Sequence, residues 1–352
     1  MRIVLTADPE IPVPPRLYGG IERIVDMLAQ GLGDRGHKVT LFAHPDSSAS
    51  CRLVPWPGRR SSSVIDTTRN AAELAIRTLA AEVDIVHSFA RVAYLTPLLR
   101  LPIPKLMTYQ RRITRRSVSL AHALSGGTLW FSAISKWMMA EVADIGTWRL
   151  VFNGVRLATY RFQPEPGPEA PLVFVGRVEE IKGPHLAIEV ARRAGVPLVI
   201  AGNVPSEHGG WFEAAIAPHI DGSRVRYIGP VDDERKDALL GRARALLMPI
   251  VFDEPFGIVM AEAMACGTPV IGLARGAVPE VIDHERTGFV CKSVDEMVKA
   301  VSALHLISRS ECRARTELLF SDKAIVDAYE SVYQEIRSSI RTRPNTNRCA
   351  FY

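Results

Sequence analysis

Short apolar runs alternate with helically spaced segments along nearly the whole chain, and the alternation occurs twice. In the first half the apolar runs are Arg2–Ala7, Val39–Ala43, Asp84–Phe89, Lys105–Tyr109, Thr128–Ile134 and Leu150–Phe152, with a helical pattern near Thr67–Ala81. In the second half they are Leu172–Val178, Pro197–Ala201, Val225–Ile228, Ala245–Val251 and Pro269–Leu273. Runs that are apolar throughout belong to parallel strands covered on both faces. Strand and helix in turn build an open doubly wound α/β sheet. Between the halves, Tyr160 to Pro171 holds Pro164, Pro166, Gly167, Pro168 and Pro171, which reads as an interdomain linker. The expected architecture is two Rossmann-like domains facing across a cleft, residues 1–160 and 161–335. The amphipathic run Ala324–Ile340 packs back toward the first domain, and 341–352 is a flexible basic tail. A length of 352 residues is comfortable for two cores.

Composition narrows the class. With 47% hydrophobic and 23% charged residues, the chain has the profile of a soluble globular protein. No apolar run reaches the roughly 20 residues a membrane helix needs. Met1–Leu5 is soon broken by Asp8-Pro9 and reads as a first strand, not a leader. Cys51, Cys266, Cys291, Cys312 and Cys349 are scattered and form no CxxC, which points to reduced thiols in a cytoplasmic protein and away from a zinc site. Cys349 stands fourth from the end like a prenylation box, but Phe351-Tyr352 fits that box poorly. Residues 1–170 carry 21 Lys and Arg against 14 Asp and Glu, a balance of +7, while the remainder carries 22 against 24, a balance of −2. A basic first half fits peripheral contact with an acidic inner membrane face or an anionic acceptor; it fits an ordinary uneven surface equally well. Arg111-Arg112-Ile113-Thr114-Arg115-Arg116, followed by Val118, Leu120, Ala121 and Leu124, reads either as a basic amphipathic element on anionic lipid or as a solvated helix start.

The chemistry concentrates in the second half. Ala245–Val251 reads as a buried parallel strand, Phe256-Gly257 opens a helix, and Cys266-Gly267-Thr268-Pro269 ends it. Glu254 therefore sits where strand hands over to helix, and Glu262 lies about a turn further in. The first turn of that helix presents unpaired N–H groups and the positive end of the macrodipole, a place for phosphate. Two carboxylates beside an anion site do not attract the anion; they suit sugar hydroxyls at either end of it, the layout of a nucleotide-diphospho-sugar. The competing reading, glutamates facing solvent, suits Glu262 poorly because Ala261, Ala263, Met264 and Ala265 surround it. Upstream, the strand Leu172–Val178 runs into Gly176-Arg177 and on to Lys182-Gly183-Pro184. Arg177 and Lys182 are cations at the carboxyl mouth of a parallel strand, where such sheets bind ligands, and Gly176 clears the approach. The pair Asp232-Asp233 fits a helix N-cap better than a metal site.

The first half offers weaker signals. Tyr18-Gly19-Gly20 follows the first strand and a long proline-set loop, Asp8 to Tyr18, expected to border the cleft. Adjacent glycines let backbone approach a phosphate, but this is not the GxGxxG fingerprint and reads as a plain turn as readily. His87 lies in an apolar run, where a lone histidine is more often packed than catalytic; it is retained as a candidate at the acceptor cleft.

These residues together resemble glycosyltransferase family 4, the retaining enzymes of the GT-B fold. The motifs are Gly19-Gly20 with Glu22, Asn153-Gly154-Val155, the Gly176–Gly183 run, Glu254-Pro255-Phe256-Gly257 through Glu262, and Gly267-Thr268-Pro269-Val270. The likeness runs from residue 1 to about 335. It implies a hexosyltransferase that moves a sugar from a nucleotide-diphospho-sugar to an acceptor hydroxyl in glycan, glycolipid or glycosylated-metabolite synthesis. By resemblance, Arg177 and Lys182 hold the diphosphate, Glu254 takes sugar hydroxyls and Glu262 the ribose. Backbone N–H groups at Phe256, Gly257 and Ile258 meet sugar and phosphate, Gly20 brings the first domain's backbone to the diphosphate, and Glu22 borders the acceptor. No cofactor or metal is implied, because two cations and a helix tip supply charge where the leaving diphosphate gains it. UDP-sugars are the first expectation ahead of GDP- and dTDP-sugars, and no nucleic-acid partner is expected. One departure stands out: family members often have His after the strand matching Lys105–Tyr109, where this chain has Gln110, which can hydrogen-bond an acceptor but cannot titrate. An epimerase or hydrolase on the same fold, or a non-catalytic nucleotide-sugar-binding subunit, are the competing functions.

Overall fold

The apolar runs pair in register as two all-parallel sheets. In the computed structural model, which describes residues 1–15, 19–167 and 169–341, the chain divides into two units. The first comprises Met1–Ile134, Met139–Val151 and the chain from Ile325; the second comprises Ser135–Met138 and Phe152–Ala324. Of the tail expected at 341–352, Arg341 ends the last helix, and 342–352, Cys349 included, lies outside the described residues, as do Tyr18 and Pro168.

The first unit runs β1 (Arg2–Thr6), α1 (Gly20–Asp34), β2 (Lys38–Ala43), β3 (Arg52–Pro55), α2 (Val64–Leu79), β4 (Ile85–Ser88), β5 (Lys105–Tyr109), α3 (Arg115–Ser125) and β6 (Leu129–Ala133). The short α4 (Lys136–Met139) falls mostly in the second unit, and β7 (Trp148–Leu150) completes the first sheet. Strand order is β3-β2-β1-β4-β5-β6-β7, every pair parallel. The order reverses between β1 and β4, so the loops after these two strands flank the switch point. Strands β4, β5 and β6 are buried at every residue, which is why they read as largely apolar runs. The edge strand β3 is short and mostly exposed; with no apolar run to mark it, it escapes sequence reading.

The second unit contains β8 (Leu172–Val175), α5 (Pro184–Ala194), β9 (Leu198–Ala201), α6 (Gly209–Ala215), β10 (Val225–Tyr227), α7 (Asp233–Gly241), β11 (Ala245–Met248), α8 (Ile258–Ala265), β12 (Val270–Leu273), α9 (Val278–Val281), β13 (Gly288–Cys291), α10 (Val294–Ala303) and α11 (Arg309–Leu319). Its six strands are parallel in the order β10-β9-β8-β11-β12-β13, reversing between β8 and β11. The sequence reading missed β13. It is four residues long and begins at Gly288, where φ is 154° and a Cβ would stand 1.9 Å from the Val270 carbonyl oxygen, so glycine is what lets the strand close on β12.

The proline stretch is not the connection between the units. The chain changes unit between Val151 and Phe152, so 153–160 belongs to the second. Val155 donates to the Phe320 carbonyl at 2.8 Å and Gln163 to the Cys266 carbonyl at 3.0 Å, binding this stretch to α8 and α11. Proline there stiffens a segment that lies against its own unit, which composition alone does not distinguish from a free linker.

The last helix, α12 (Asp322–Arg341), closes the first unit. Ile325, Val326, Tyr329, Val332, Tyr333 and Ile336 form its buried stripe, the 3.6-residue spacing of one helix face. Each such side chain contributes about 1.5–3 kcal/mol as an upper estimate. Gly31 in α1 makes room: a Cβ there would lie 2.6 Å from Val326 Cγ2. Arg35 reaches Glu330 and Asp327, Arg149 reaches Glu335, and Arg337 reaches Asp84.

Candidate functional site

The second sheet gathers three loops at one edge. Because strand order reverses between β8 and β11, the loops that follow them leave the carboxyl edge on either side of a crevice, the position where open α/β sheets take ligands. The loop after β8 ends in a 3-10 turn at Glu180–Lys182, closed by Gly183 in the left-handed region at φ 75°. A Cβ at Gly183 would lie 2.0 Å from the Pro249 carbonyl oxygen, so only glycine lets this loop meet the one after β11. Val251 then donates to the Ile181 carbonyl at 3.0 Å, locking the two loops together. The third loop, after β12, arrives through Gly276 (φ 55°) against the Glu254 backbone, with Ala277 donating to the Glu254 carbonyl at 2.8 Å.

These contacts bring Lys182 and Glu254 together. Lys182 Nζ lies 2.7 Å from Glu254 Oε2 and 4.5 Å above the Phe252 ring. Glu254 is 8% exposed, so the pair forms in a partly dry pocket where charge is screened little. Chemically, the ammonium is a partner for an anion and the carboxylate an acceptor for hydroxyls. Gly257, at φ 76°, is the N-cap of α8, and a Cβ there would crowd Met260 Cε at 2.7 Å. The first N–H groups of α8 therefore open next to Glu254 in the chain. Phe256 is 1% exposed, its ring packed against Phe152 and Phe320 at 6.1 and 5.5 Å. Only its backbone is left for a ligand, and the ring serves as the anchor that sets the loop.

Glu262, 6% exposed within α8, accepts from Lys236 Nζ and from the Tyr160 hydroxyl, both at 2.6 Å on Oε1. Neither partner was legible in the sequence. Lys236 belongs to α7, whose N-cap is Asp232, accepting from the Arg235 N–H at 2.8 Å; the Asp232-Asp233 pair is thus a helix start, as its spacing indicated. The signal that could have found Lys236 is its place one turn into that capped helix, but nothing in the sequence says which helix α7 faces. Arg177 stands just past β8 and Gly176. Its Nη2 lies 2.8 Å from the buried Glu179 carboxylate, which His208 Nε2 approaches at 3.5 Å. The Cβ side of Gly176 is open: a Cβ there would meet nothing nearer than Phe174 Cζ at 3.9 Å. Gly202 packs its own Cα onto the Gly176 carbonyl, where a Cβ would stand 1.7 Å from the oxygen. Behind the site Arg309 donates to the carbonyls of Gln163, Gly241 and Ala243 and to Thr268 Oγ1, fixing the far end of α8.

The first-unit candidates are placed differently. Gly19 is the N-cap of α1 at φ 157°, with Gly20 the first helical residue. A Cβ at Gly19 would meet Pro15 Cβ at 2.6 Å and Glu22 Oε2 at 2.9 Å. Glu22 is 2% exposed, and burial pushes its carboxyl above the usual range, against a bond from its own backbone N–H. It holds the turn and has no open face for an acceptor. His87 is corrected more sharply. It is fully buried, Nδ1 at 2.6 Å from the Tyr333 hydroxyl and Nε2 at 2.6 Å from Thr108 Oγ1, with Phe89 and Tyr329 against its ring. Burial drives its pKa well below 6.5, so it is a neutral strut between β4, β5 and α12 and touches no acceptor. Gln110 is half-buried directly after β5, at the carboxyl edge of the sheet. Arg111 pairs with Asp8 at 2.8 Å, and Arg115 begins α3 and pairs with Asp144 at 2.7 Å.

Comparison with known proteins gives matches to both halves. Residues 18–158 match the model for Glycosyltransferase Family 4, and residues 158–316 match that for Glycosyl transferases group 1. A glycogen synthase of Mycobacterium tuberculosis is 31% identical over 200 residues, covering 52% of this chain and 47% of that protein. The chain thus matches about half the length of that curated relative. A phosphatidyl-myo-inositol mannosyltransferase of Propionibacterium freudenreichii is 28% identical over 309 residues, covering 76% of each. The solved Anabaena HepE, in complex with UDP and glucose, superposes with a TM-score of 0.71 at 16% identity, covering 95% of this chain and 100% of HepE. With one family model on each half, and two parallel Rossmann-like sheets of the GT-B kind beneath them, this chain belongs to glycosyltransferase family 4.

Proposed function

We propose that the protein transfers a hexose-type sugar from a nucleotide-diphospho-sugar to an acceptor hydroxyl, with retention of configuration, in the synthesis of a glycan, glycolipid or glycosylated metabolite. The observation that carries this reading is the Lys182–Glu254 pair, 2.7 Å apart, beside the N-terminus of α8 at the strand-order switch. The pair is poised to separate: Lys182 and Arg177 take the diphosphate, and Glu254 takes sugar hydroxyls. Glu262, steered by Lys236 and Tyr160, takes the ribose. As the glycosidic bond breaks, negative charge grows on the diphosphate, and in this reading Arg177 and Lys182 leave Glu179 and Glu254 to meet it beside the helix tip, so stabilisation is strongest in the transition state. Same-face attack lets the acceptor hydroxyl pass its proton to the departing phosphate oxygen. No side-chain base is then required, which agrees with Gln110 in a place that cannot titrate and with His87 sealed in the core. The cationic machinery makes a divalent metal unnecessary. A uridine nucleotide is the proposed donor base.

The acceptor is proposed to meet the first unit. Its basic balance suits an anionic or lipid-linked acceptor and peripheral contact at an inner membrane face. Among the described residues, no helix is long and apolar enough to cross a membrane.

The decisive measurement incubates the protein with UDP-, GDP- and dTDP-sugars with and without candidate acceptors. Acceptor-dependent release of nucleoside diphosphate supports transfer. Turnover that ignores the acceptor points to an epimerase or hydrolase, and binding without turnover to a non-catalytic subunit; either result overturns the proposal.

A further inference from the structure

The proposed reaction gives Glu254 and Glu262 hydroxyls to hold and leaves Glu179 without a task. Glu179 is 3% exposed and stands between two basic groups. Its Oε1 lies 2.8 Å from Arg177 Nη2, and its Oε2 lies 3.5 Å from His208 Nε2. Oε1 accepts no hydrogen bond among the described residues, so the Arg177 contact is a close ion pair without the alignment of a hydrogen bond. A buried carboxylate is tolerated only while a cation or a donor neutralises it. A pair so poorly aligned gives up its guanidinium more readily than a bidentate one.

Local structure sets this geometry. Val178 donates to the Asn203 carbonyl at 2.9 Å and Gly202 packs onto the Gly176 carbonyl, so the loops after β8 and β9 run side by side. The β9 loop then turns through a 3-10 segment, Ser206–His208, which delivers His208 to the carboxylate oxygen that Arg177 does not take. Two further acids stand nearby. Glu207 faces both His208 and Arg177, but it is exposed and accepts from the Ser206 hydroxyl at 3.2 Å. Glu180 is exposed and faces His185. Glu179 is the buried acid of the group, and solvent screens the others.

We infer that Glu179 and His208 form a proton-coupled latch on Arg177: donor binding draws Arg177 from Glu179 to the diphosphate, and His208 takes a proton from solvent to neutralise the carboxylate left behind. This rests on the proposed diphosphate role of Arg177. Imidazole is the side chain that changes charge between about pH 5 and 8. A buried carboxylate beside it, relieved of its guanidinium, favours the imidazolium. Binding that takes up a proton is strengthened by acid and weakened by alkali. Both residues act through Arg177 and are positioning residues.

The test is isothermal titration calorimetry of the full chain with UDP-glucose at about pH 7.5, in buffers of different ionisation enthalpy. The diphosphate of UDP-glucose is esterified at both ends and exchanges no proton of its own near neutral pH, so the dependence of heat on buffer counts protons taken up by the protein. Wild type should take up as much as one proton. Its affinity should fall from about pH 6.5 to about pH 8.5, by up to about tenfold per unit. His208→Gln should take up none, and its affinity should stay flat with pH and lie below wild type at the acid end. Glu179→Gln should also take up none and stay flat, yet bind at least as tightly as wild type at the alkaline end, because no carboxylate is left to neutralise. A merely structural Glu179 would instead weaken binding and leave its pH dependence unchanged. Glu207→Gln should keep the uptake. Wild-type binding without proton uptake, or uptake that persists in His208→Gln, overturns the latch and leaves the proposed transfer standing. If neither UDP-glucose nor the GDP- and dTDP-sugars bind, the donor reading itself fails and the latch falls with it.

Discussion

At the scale of residues, the site depends on pairs that only the fold creates. Lys182→Ala and Glu254→Ala are each expected to lower kcat/KM at least tenfold, about 1.4 kcal/mol of lost transition-state stabilisation. Steady-state kinetics on folded variants checks this, and wild-type rates in both would remove the pair from the mechanism. Lys236 acts through Glu262, which it meets at 2.6 Å. Its loss removes support for ground state and transition state alike, so Lys236→Ala should raise donor KM about tenfold with kcat nearly unchanged. His87 gives a pH prediction. Its pKa in the folded protein is depressed by burial, while the unfolded value lies near 6.5. As pH falls below about 6.5 the unfolded chain binds a proton that the folded one refuses, so stability present above that pH is lost on acidification, at up to about 1.4 kcal/mol per pH unit. Urea unfolding between pH 7 and 5 should show this slope, reduced in His87→Gln.

At the scale of elements, glycines decide how closely the loops approach. Gly183 and Gly195 both adopt positive φ, 75° and 69°, but a Cβ at Gly195 would meet nothing within 4 Å, whereas at Gly183 it would collide with the Pro249 carbonyl. Gly195→Ala is expected to cost only the left-handed strain, about 1–2 kcal/mol. Gly183→Ala should cost more than that in urea unfolding and should also lower kcat/KM, because the β8 and β11 loops must part and carry Lys182 away from Glu254. The same scale shows what sequence reading could reach. Fully buried β4, β5 and β6 announce themselves as apolar runs, whereas β3, exposed along one edge, and β13, four residues opened by a glycine, do not. The Asp232 cap was legible because capping is local. The partner of Glu262 was not, because it comes from a helix 26 residues away in the chain.

At the scale of the whole molecule, the loops proposed to hold the donor, those carrying Arg177, Lys182 and Glu254, all belong to the second unit. A bound donor should therefore stabilise the second unit, by about 2.7 kcal/mol at a hundredfold excess over Kd. Calorimetry with and without UDP-sugar should show the upward shift, and Lys182→Ala should diminish it. Periodicity and turn chemistry, which are properties of neighbouring residues, were enough to specify strand–helix alternation, the parallel sheets and the strand-to-helix loop holding Glu254. Tertiary structure alone decided that Lys182 meets Glu254, that Lys236 and Tyr160 meet Glu262, that the proline stretch lies on its own unit, and that His87 and Glu22 are sealed from solvent. Burial and ion pairing depend on which distant segments come to lie side by side, and that information resides in the packed sheet order, not in any local stretch of chain.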